Sequence, residues 1–598
     1  MRYFFFTLLI SCIGFSQTTV EKDSLGWNLL VDGQPFDIKG VTFGFDKDID
    51  KYDTYFKDLK YLGVNTIRTW ATGNNTPQLL DAAHANGIKV MVGIWMRHGR
   101  PGMEDDDSFN YITDTEGMEA MYNTAIETVE KYKNHPAVLT WGVGNEVYLN
   151  MATDEEKLAY SKFLESICST IKSKDANHPI TSVDAWTFGL EWWEKYVPSL
   201  DIYGLNSYGA GANYLQGELE KRKIDKPYMV TEFGVTGEWD IKTKKNGITV
   251  EPTDKEKYNA IANGYKDWIA NKTKCLGVYM FHYANGSNFV APWLFTHVNS
   301  LKRPQYWAIR EAYTDNKPVN NSPDIETFIL PESTFKSSTW IPVTLNVSDL
   351  ENDNLEVSFS YNQRTGSRKR RDQILALNHR GNLNDGFEIE APKEDGAIKV
   401  YANVKDAFGN LGIASTSIMV SDKDAGFKKF KVPKVELPFY VYKDNIDVPY
   451  FPSGYMGNYK DMVVDLNSTE DAHSGKASIQ ISYNTEAGWY GFALVDPAND
   501  WGEILGGYDI SGAKTFSFWA RANFDDVSAT IGFGLIGKDK SFPDTAKKSL
   551  KIKLTDEWKK FTIKTKKLDL SCIRSGLVLF SNGNGYPYKI YIDDVVFE

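Results

Sequence analysis

The sequence predicts a multidomain chain: a (β/α)8 barrel, then an immunoglobulin-like β-sandwich, then a β-jelly-roll sandwich. Three observations carry that prediction. From about residue 24 to 315, short apolar runs alternate with amphipathic helical stretches, the pattern of a parallel α/β domain. Eight such runs can be counted, the number that closes a barrel. Past 316–323 (NKPVNNSP) helical periodicity stops, and strand-like segments follow one another to the C-terminus. At 598 residues the chain exceeds what one core supports, so three domains are expected.

The N-terminus, MRYFFFTLLISCIGFSQ, joins Arg2 to an apolar stretch and small residues at 14 and 16. It reads as a secretory signal peptide over residues 1–16, too short to span a bilayer. Leu9-Ile10-Ser11-Cys12 also fits a lipidation box. A surface lipoprotein anchored through Cys12 is therefore the alternative to a secreted or periplasmic protein. No later stretch is apolar enough to form a transmembrane segment.

The barrel is placed at 20–318. Its strands are expected at 37–44 (DIKGVTFG), 64–70 (VNTIRTW), 89–96 (KVMVGIWM), 138–146 (VLTWGVGNE), 180–185, 202–208 (IYGLNSY), 228–234 (YMVTEFG) and 277–283 (GVYMFHY). Helices are expected at 50–62, 77–86, 117–133 and 154–173, with Gly63 and Gly87 where C-caps belong. No Gly-rich phosphate turn follows an early strand, which argues against a doubly wound nucleotide-binding fold.

Charge and cysteine usage narrow the function. A net charge of −12 disfavours nucleic acid as a partner and is compatible with a neutral polysaccharide. Cys12, Cys168, Cys275 and Cys572 are scattered singly, so neither a disulfide framework nor a zinc site is expected. There is no HExxH motif and no His/Cys cluster, so no metal and no cofactor are required at the barrel site. A monomer is expected.

Function in such barrels sits at the C-terminal strand ends. Here those ends read Arg68; Trp95, Arg97 and His98; Asn145 and Glu146; Asp184 and Trp186; Asn206 and Tyr208; Glu232; His282 and Tyr283. The strand interiors, by contrast, are Val, Ile, Leu and Met. Two apolar runs deliver a glutamate, Glu146 on the fourth strand and Glu232 on the seventh, 86 residues apart. A carboxylate there is costly unless paired or used. Two of them facing across one mouth suit glycoside hydrolysis with retention.

The motifs G-x-G-N-E and T-E-F-G resemble the glycoside hydrolase superfamily whose catalytic glutamates occupy strands four and seven. That superfamily includes family 2 β-glycosidases, family 5 cellulases and mannanases, and β-1,3-glucanases. Arg68 in NTIRTW and Tyr208 in NSY also fall where those enzymes place active-site partners. Because the first strand follows the leader almost directly, with no sugar-binding domain between, the chain is similar to bacterial β-1,3-glucanases on a family-2-like barrel. The resemblance implies Glu232 as nucleophile and Glu146 as acid/base, with Asn145 at the sugar 2-hydroxyl. Arg68 and Tyr208 are expected to donate to Glu232, and Trp95, His282 and Trp293 to contact substrate. Relatives often present Trp on strand eight, where this chain has Phe281-His282; Trp293 in APWLF is the candidate replacement. The implied function is a secreted retaining β-glycosidase acting on a polysaccharide, an endo-β-glucanase with β-1,3-glucan as leading substrate. The alternatives are a β-glucan transglycosylase and a non-catalytic glycan-binding surface protein.

The segment 237–253 is expected to form a loop beside the cleft, with Asn246-Gly247 as a hairpin turn. The acidic run 104–107 reads as a solvated loop. Residues 319–424 read as an Ig/PKD-like spacer, with the basic run 368–371 in an exposed loop. Residues 428–598 are similar to carbohydrate-binding-module jelly rolls. Trp489, Tyr490 and Trp501 are their candidate stacking rings, and Asp593-Asp594 a candidate structural calcium position.

Overall fold

A computed structural model describes residues 17–598 apart from 99–108, 152, 238–239, 242–243, 286–290, 364–372, 395, 423–431, 445–447 and 539. The leader with Cys12, the acidic run 104–107 and the basic run 368–371 lie outside the described residues.

The eight apolar runs form a closed parallel barrel, each strand bonded to the next in sequence and the last to the first. The strands are β1 (Ile38–Phe43), β2 (Thr66–Arg68), β3 (Lys89–Ile94), β4 (Val138–Asn145), β5 (Ile180–Ala185), β6 (Ile202–Asn206), β7 (Tyr228–Phe233) and β8 (Cys275–Tyr283). β4 and β7 are buried along their whole length, as parallel strands covered on both faces are. Outer helices Tyr52–Tyr61, Thr76–Ala85, Thr115–Tyr132 and Asp154–Lys174 fall within a few residues of their expected positions. Gly63 and Gly87 end the first two with φ of 84° and 64°, a conformation that suits residues without a Cβ.

One layer was not read from the sequence. Thr18–Lys22, Trp27–Val31 and Gln34–Pro35 form a three-stranded antiparallel sheet ahead of the barrel. Its Val20, Trp27, Leu29 and Val31 pack with Ile38, Leu139, Ile202, Met229 and Leu276, which lie at or next to the N-terminal ends of their strands. It covers the end of the barrel opposite the expected site. The strands are too short, and too broken by Asp23-Ser24 and Asp32-Gly33, for alternation to show them.

Two β-sandwiches follow. The first pairs a four-stranded sheet with a five-stranded one, between Asp324–Ile329 and Leu411–Val420. The second pairs five- and six-stranded sheets from Phe439–Tyr442 to Tyr588–Phe597, around a core that includes Tyr442, Phe492, Phe516, Phe518 and Phe597. A buried ionic cluster joins barrel to first sandwich: Lys399 Nζ lies 2.6 Å and Lys257 Nζ 2.9 Å from Glu251, and Arg303 lies 2.9 Å from Asp254. Trp307 Nε1 donates to Asn410 Oδ1 at 2.8 Å across the same seam.

Asn246 and Gly247 turn a short hairpin (Lys244–Lys245 with Ile248–Thr249), both at positive φ as a type I′ turn demands. The hairpin does not stand free beside a cleft. Ile248 is packed with Ala397 and Met419 of the first sandwich and with Leu505 and Phe542 of the second, because its apolar side chain finds its cover there. Among the described residues no helix is long and apolar enough to cross a membrane. Cys168, Cys275 and Cys572 are free thiols, the first and last buried.

Candidate active site

Glu232 is the fifth residue of β7 and is 6 % exposed. Three donors converge on it. Arg68 Nη1 (2.9 Å) and Trp70 Nε1 (3.1 Å) donate to Oε1, and the Tyr208 hydroxyl (2.7 Å) donates to Oε2. Arg68 and Trp70 can only donate, so Oε1 is held as an acceptor. Arg68, fully buried, is itself fixed by Thr231 O (2.9 Å) and Asn145 Oδ1 (2.6 Å). Burial, and then the charge of Glu232, push the Tyr208 phenol well above its ordinary range, so it stays a donor.

Glu146 follows β4 directly and is half-buried, at φ 53°. Its backbone N–H donates to Val183 O (3.0 Å), and its Oε1 accepts from Asn206 Nδ2 at 2.8 Å. The turn after it, Tyr148–Asn150, is pinned on both sides. Tyr148 N–H donates to Asp184 Oδ2 (2.8 Å), and Asn150 Nδ2 donates to the Glu146 carbonyl (2.8 Å). Burial pushes Asp184 up to about 7.

Asn206 ties the two acids together. It donates to Glu146 and, at 3.2 Å, to Asn145 Oδ1, while its own Oδ1 accepts from Thr231 Oγ1 (2.8 Å) and Arg68 Nη1 (3.4 Å). Glu146 and Glu232 therefore share one mouth, linked by one amide and one guanidinium. Beneath them His98, fully buried, sits with Nε2 2.7 Å from the Asn145 carbonyl. A carbonyl only accepts, so that nitrogen carries the proton, and burial holds the ring down at about 4.

Other expected contacts take different places. Trp293 is 7 % exposed and donates through Nε1 to Val235 O (2.9 Å), with its ring against Tyr208 and Phe281. With its indole N–H turned inward to that carbonyl, the ring backs the Tyr208 phenol. His282 pairs Nδ1 with Thr42 Oγ1 (2.9 Å), and its ring meets Trp70 edge-on at 5.4 Å. Burial lowers it to about 4, so it props the indole as a neutral ring. Trp95 is half-buried, its ring 4.9 Å from that of His98. Trp70 and Asn206 were not named as contacts from sequence. Trp70 had a signal, since residues two apart in an extended chain share a face and Arg68 already pointed inward.

In the C-terminal sandwich, Trp489 and Trp501 are exposed, but Tyr490 is core, stacked on Tyr483. His473 and Ser474 N–H groups donate to Asp593 Oδ2, and the Asp594 N–H to Asp593 Oδ1. Asp594 accepts from Ser474 Oγ and pairs with His473 Nδ1. At the expected calcium position the ligand atoms of His473, Asp593 and Asp594 thus lie within 4.8 Å of one another.

Residues 28–282 match the TIM barrel domain of glycosyl hydrolases family 2. The barrel is thus similar to the barrel domain of that family. Human β-glucuronidase is 29 % identical over 243 residues, which is 37 % of this chain and 34 % of that one. The β-glucuronidase of Chlorocebus aethiops is 29 % identical over 226 residues, 34 % of this chain and 32 % of its own. The matched part thus spans about a third of those relatives. A crystal structure of a Bacteroides uniformis β-glucuronidase covers 96 % of this chain and 67 % of its own at 12 % identity, with a TM-score of 0.39.

Proposed function

We propose that the chain is a secreted retaining β-glycosidase working by double displacement, with Glu232 as nucleophile and Glu146 as acid/base. The observation that supports this is the asymmetry of the pair. Glu232 is buried and faced by three donors, whereas Glu146 is half-buried, open to solvent on one side, and accepts from the Asn206 amide. Attack by Glu232 on the anomeric carbon breaks the glycosidic bond as Glu146 protonates the leaving oxygen. The Glu146 carboxylate then takes a proton from water, whose oxygen displaces Glu232. Asn145 spends its Oδ1 on Arg68 and Asn206, which turns its Nδ2 to the sugar 2-hydroxyl.

The substrate we favour is a neutral β-glycan, with β-1,3-glucan leading. Arg68 at the acid pair is committed to Glu232, Thr231, Asn145 and Asn206. A uronic acid calls for a further cation. The second reading is a β-glucuronide, which the names of the relatives favour. Transglycosylation shares the first step and differs only in whether a sugar hydroxyl replaces water.

The test is hydrolysis of 4-nitrophenyl β-glucoside, β-galactoside, β-mannoside and β-glucuronide beside soluble β-1,3-glucan. Release from the glucoside and the glucan supports the first reading, and release from the glucuronide alone supports the second. No release from any of them favours a glycan-binding protein.

A further inference from the structure

Among the described residues the C-terminal jelly roll meets the barrel at Asn110 and at the hairpin 244–249, and the two lie across the mouth from each other. One is Asn110, whose Nδ2 donates to Asp465 Oδ2 at 3.5 Å. Asn110 belongs to the loop after β3, and its neighbour Phe109 donates its N–H to the carbonyl of His98 (2.7 Å), the histidine beneath Asn145. Asp465 lies on Met462–Ser468, whose alternating burial turns Val463, Asp465 and Asn467 outward. The other contact is the hairpin after β7. Gly247 lies so close to the Phe542 ring and the Glu503 carbonyl that a Cβ would collide with both, and Ile248 packs with Leu505 and Phe542.

In a closed eight-stranded barrel, strands three and seven stand diametrically opposed. Loops that follow parallel strands all emerge at the C-terminal end, where Glu146 and Glu232 sit. One domain resting on both loops therefore bridges the mouth from rim to rim. We propose that the jelly roll is the roof of the active site, and that the enzyme consequently attacks glycans at chain ends. An internal segment of a long glycan reaches an open cleft sideways. Beneath a roof seated on both rims it cannot, whereas a chain end threads in. This reading competes with the endo-acting enzyme that the resemblance implies. The chain-end conclusion rests on the glycosidase reading above; the roof does not.

Two experiments test it on the full chain. Asn110→Cys with Asp465→Cys, treated with a short bis-maleimide, should give one intramolecular cross-link, seen by mass spectrometry as a linked pair of peptides. It should be missing from wild type and from each single variant. A folded double variant that does not cross-link overturns the roof. On soluble linear β-1,3-glucan, reducing ends should appear well before viscosity falls, and a product of one size should dominate from the first minutes. An early spread of sizes with a rapid loss of viscosity overturns chain-end attack. If no glycan or aryl glycoside is cleaved, the glycosidase reading fails and chain-end attack falls with it. The cross-link still decides the roof, because it needs no activity.

Discussion

Trp70 Nε1 donates to Glu232 Oε1 at 3.1 Å, onto the same oxygen that Arg68 Nη1 holds at 2.9 Å. Two donors on one oxygen fix the carboxylate plane, and the Tyr208 hydroxyl fixes the other oxygen. Trp70→Phe removes one donor and keeps a ring against His282. A hydrogen bond to a charged group contributes about 1.5–3 kcal/mol, so kcat/KM should fall roughly 10- to 150-fold. Steady-state kinetics on an aryl glycoside check this, with thermal melting as control. A change under about twofold would show that Arg68 and Tyr208 suffice.

Removing the acids themselves should separate their roles. Glu232→Ala should lose at least about 10⁴-fold in kcat, the scale seen when a nucleophile is deleted. Azide should partly restore turnover and give the glycosyl azide of inverted configuration. Glu146→Ala should cost about 10²–10⁴-fold on substrates with poor leaving groups and far less on activated aryl glycosides. Its azide product should keep the starting configuration. Near wild-type activity in both variants would remove these residues from the mechanism.

The buried histidines set an acid limit. His98 and His282 are held at about 4 against an ordinary 6.5. Between those values the unfolded chain binds protons that the folded chain refuses, so stability falls as pH drops from about 6.5 to 4. Asp184 acts in the opposite sense. Its folded value of about 7 against 3.8 makes stability fall as pH rises through that range. His98→Gln keeps a donor for the Asn145 carbonyl and removes one titration. Its melting temperature relative to wild type should therefore rise as pH is lowered from 6.5 to 4, by an amount on the order of 2 kcal/mol in stability. A constant difference across that range would mean that His98 does not titrate differently on unfolding.

How far the sequence could be read depended on what each feature needs from distant parts of the chain. The eight strands were legible because each is a local apolar run. The two glutamates were legible because a carboxylate ending such a run is conspicuous. Asn206 was seen at a strand end, yet its bridging role exists only once β6 is placed between β4 and β7 in contact order. The orientations of Trp293 and His282 were not legible for a related reason. Type and position marked them as site rings, but their orientation is decided by partners, Val235 O and Thr42, that no local pattern reveals. The roof was invisible in principle, since Asn110 and Asp465 are 355 residues apart.

The seam between barrel and first sandwich offers a last prediction. Burial alone would push the Glu251 carboxyl up, but Lys399 and Lys257 outweigh it and hold it well below the ordinary range. Lys399 comes from the sandwich and Glu251 from the barrel, with both side chains under a tenth exposed. Lys399→Met leaves Glu251 buried with Lys257 as its remaining cation. Breaking a buried pair from one side costs about 3–5 kcal/mol, more than the pair itself contributes. Because the lost contact spans two domains, calorimetry should show barrel and sandwich melting apart in the variant. Adding Glu251→Gln should restore part of the loss, since the carboxylate that has lost one of its two cations is then neutral and Lys257 keeps Asp254 at 3.2 Å. If the double variant is no more stable than Lys399→Met alone, the penalty comes from packing of the lysine stem and not from the stranded carboxylate.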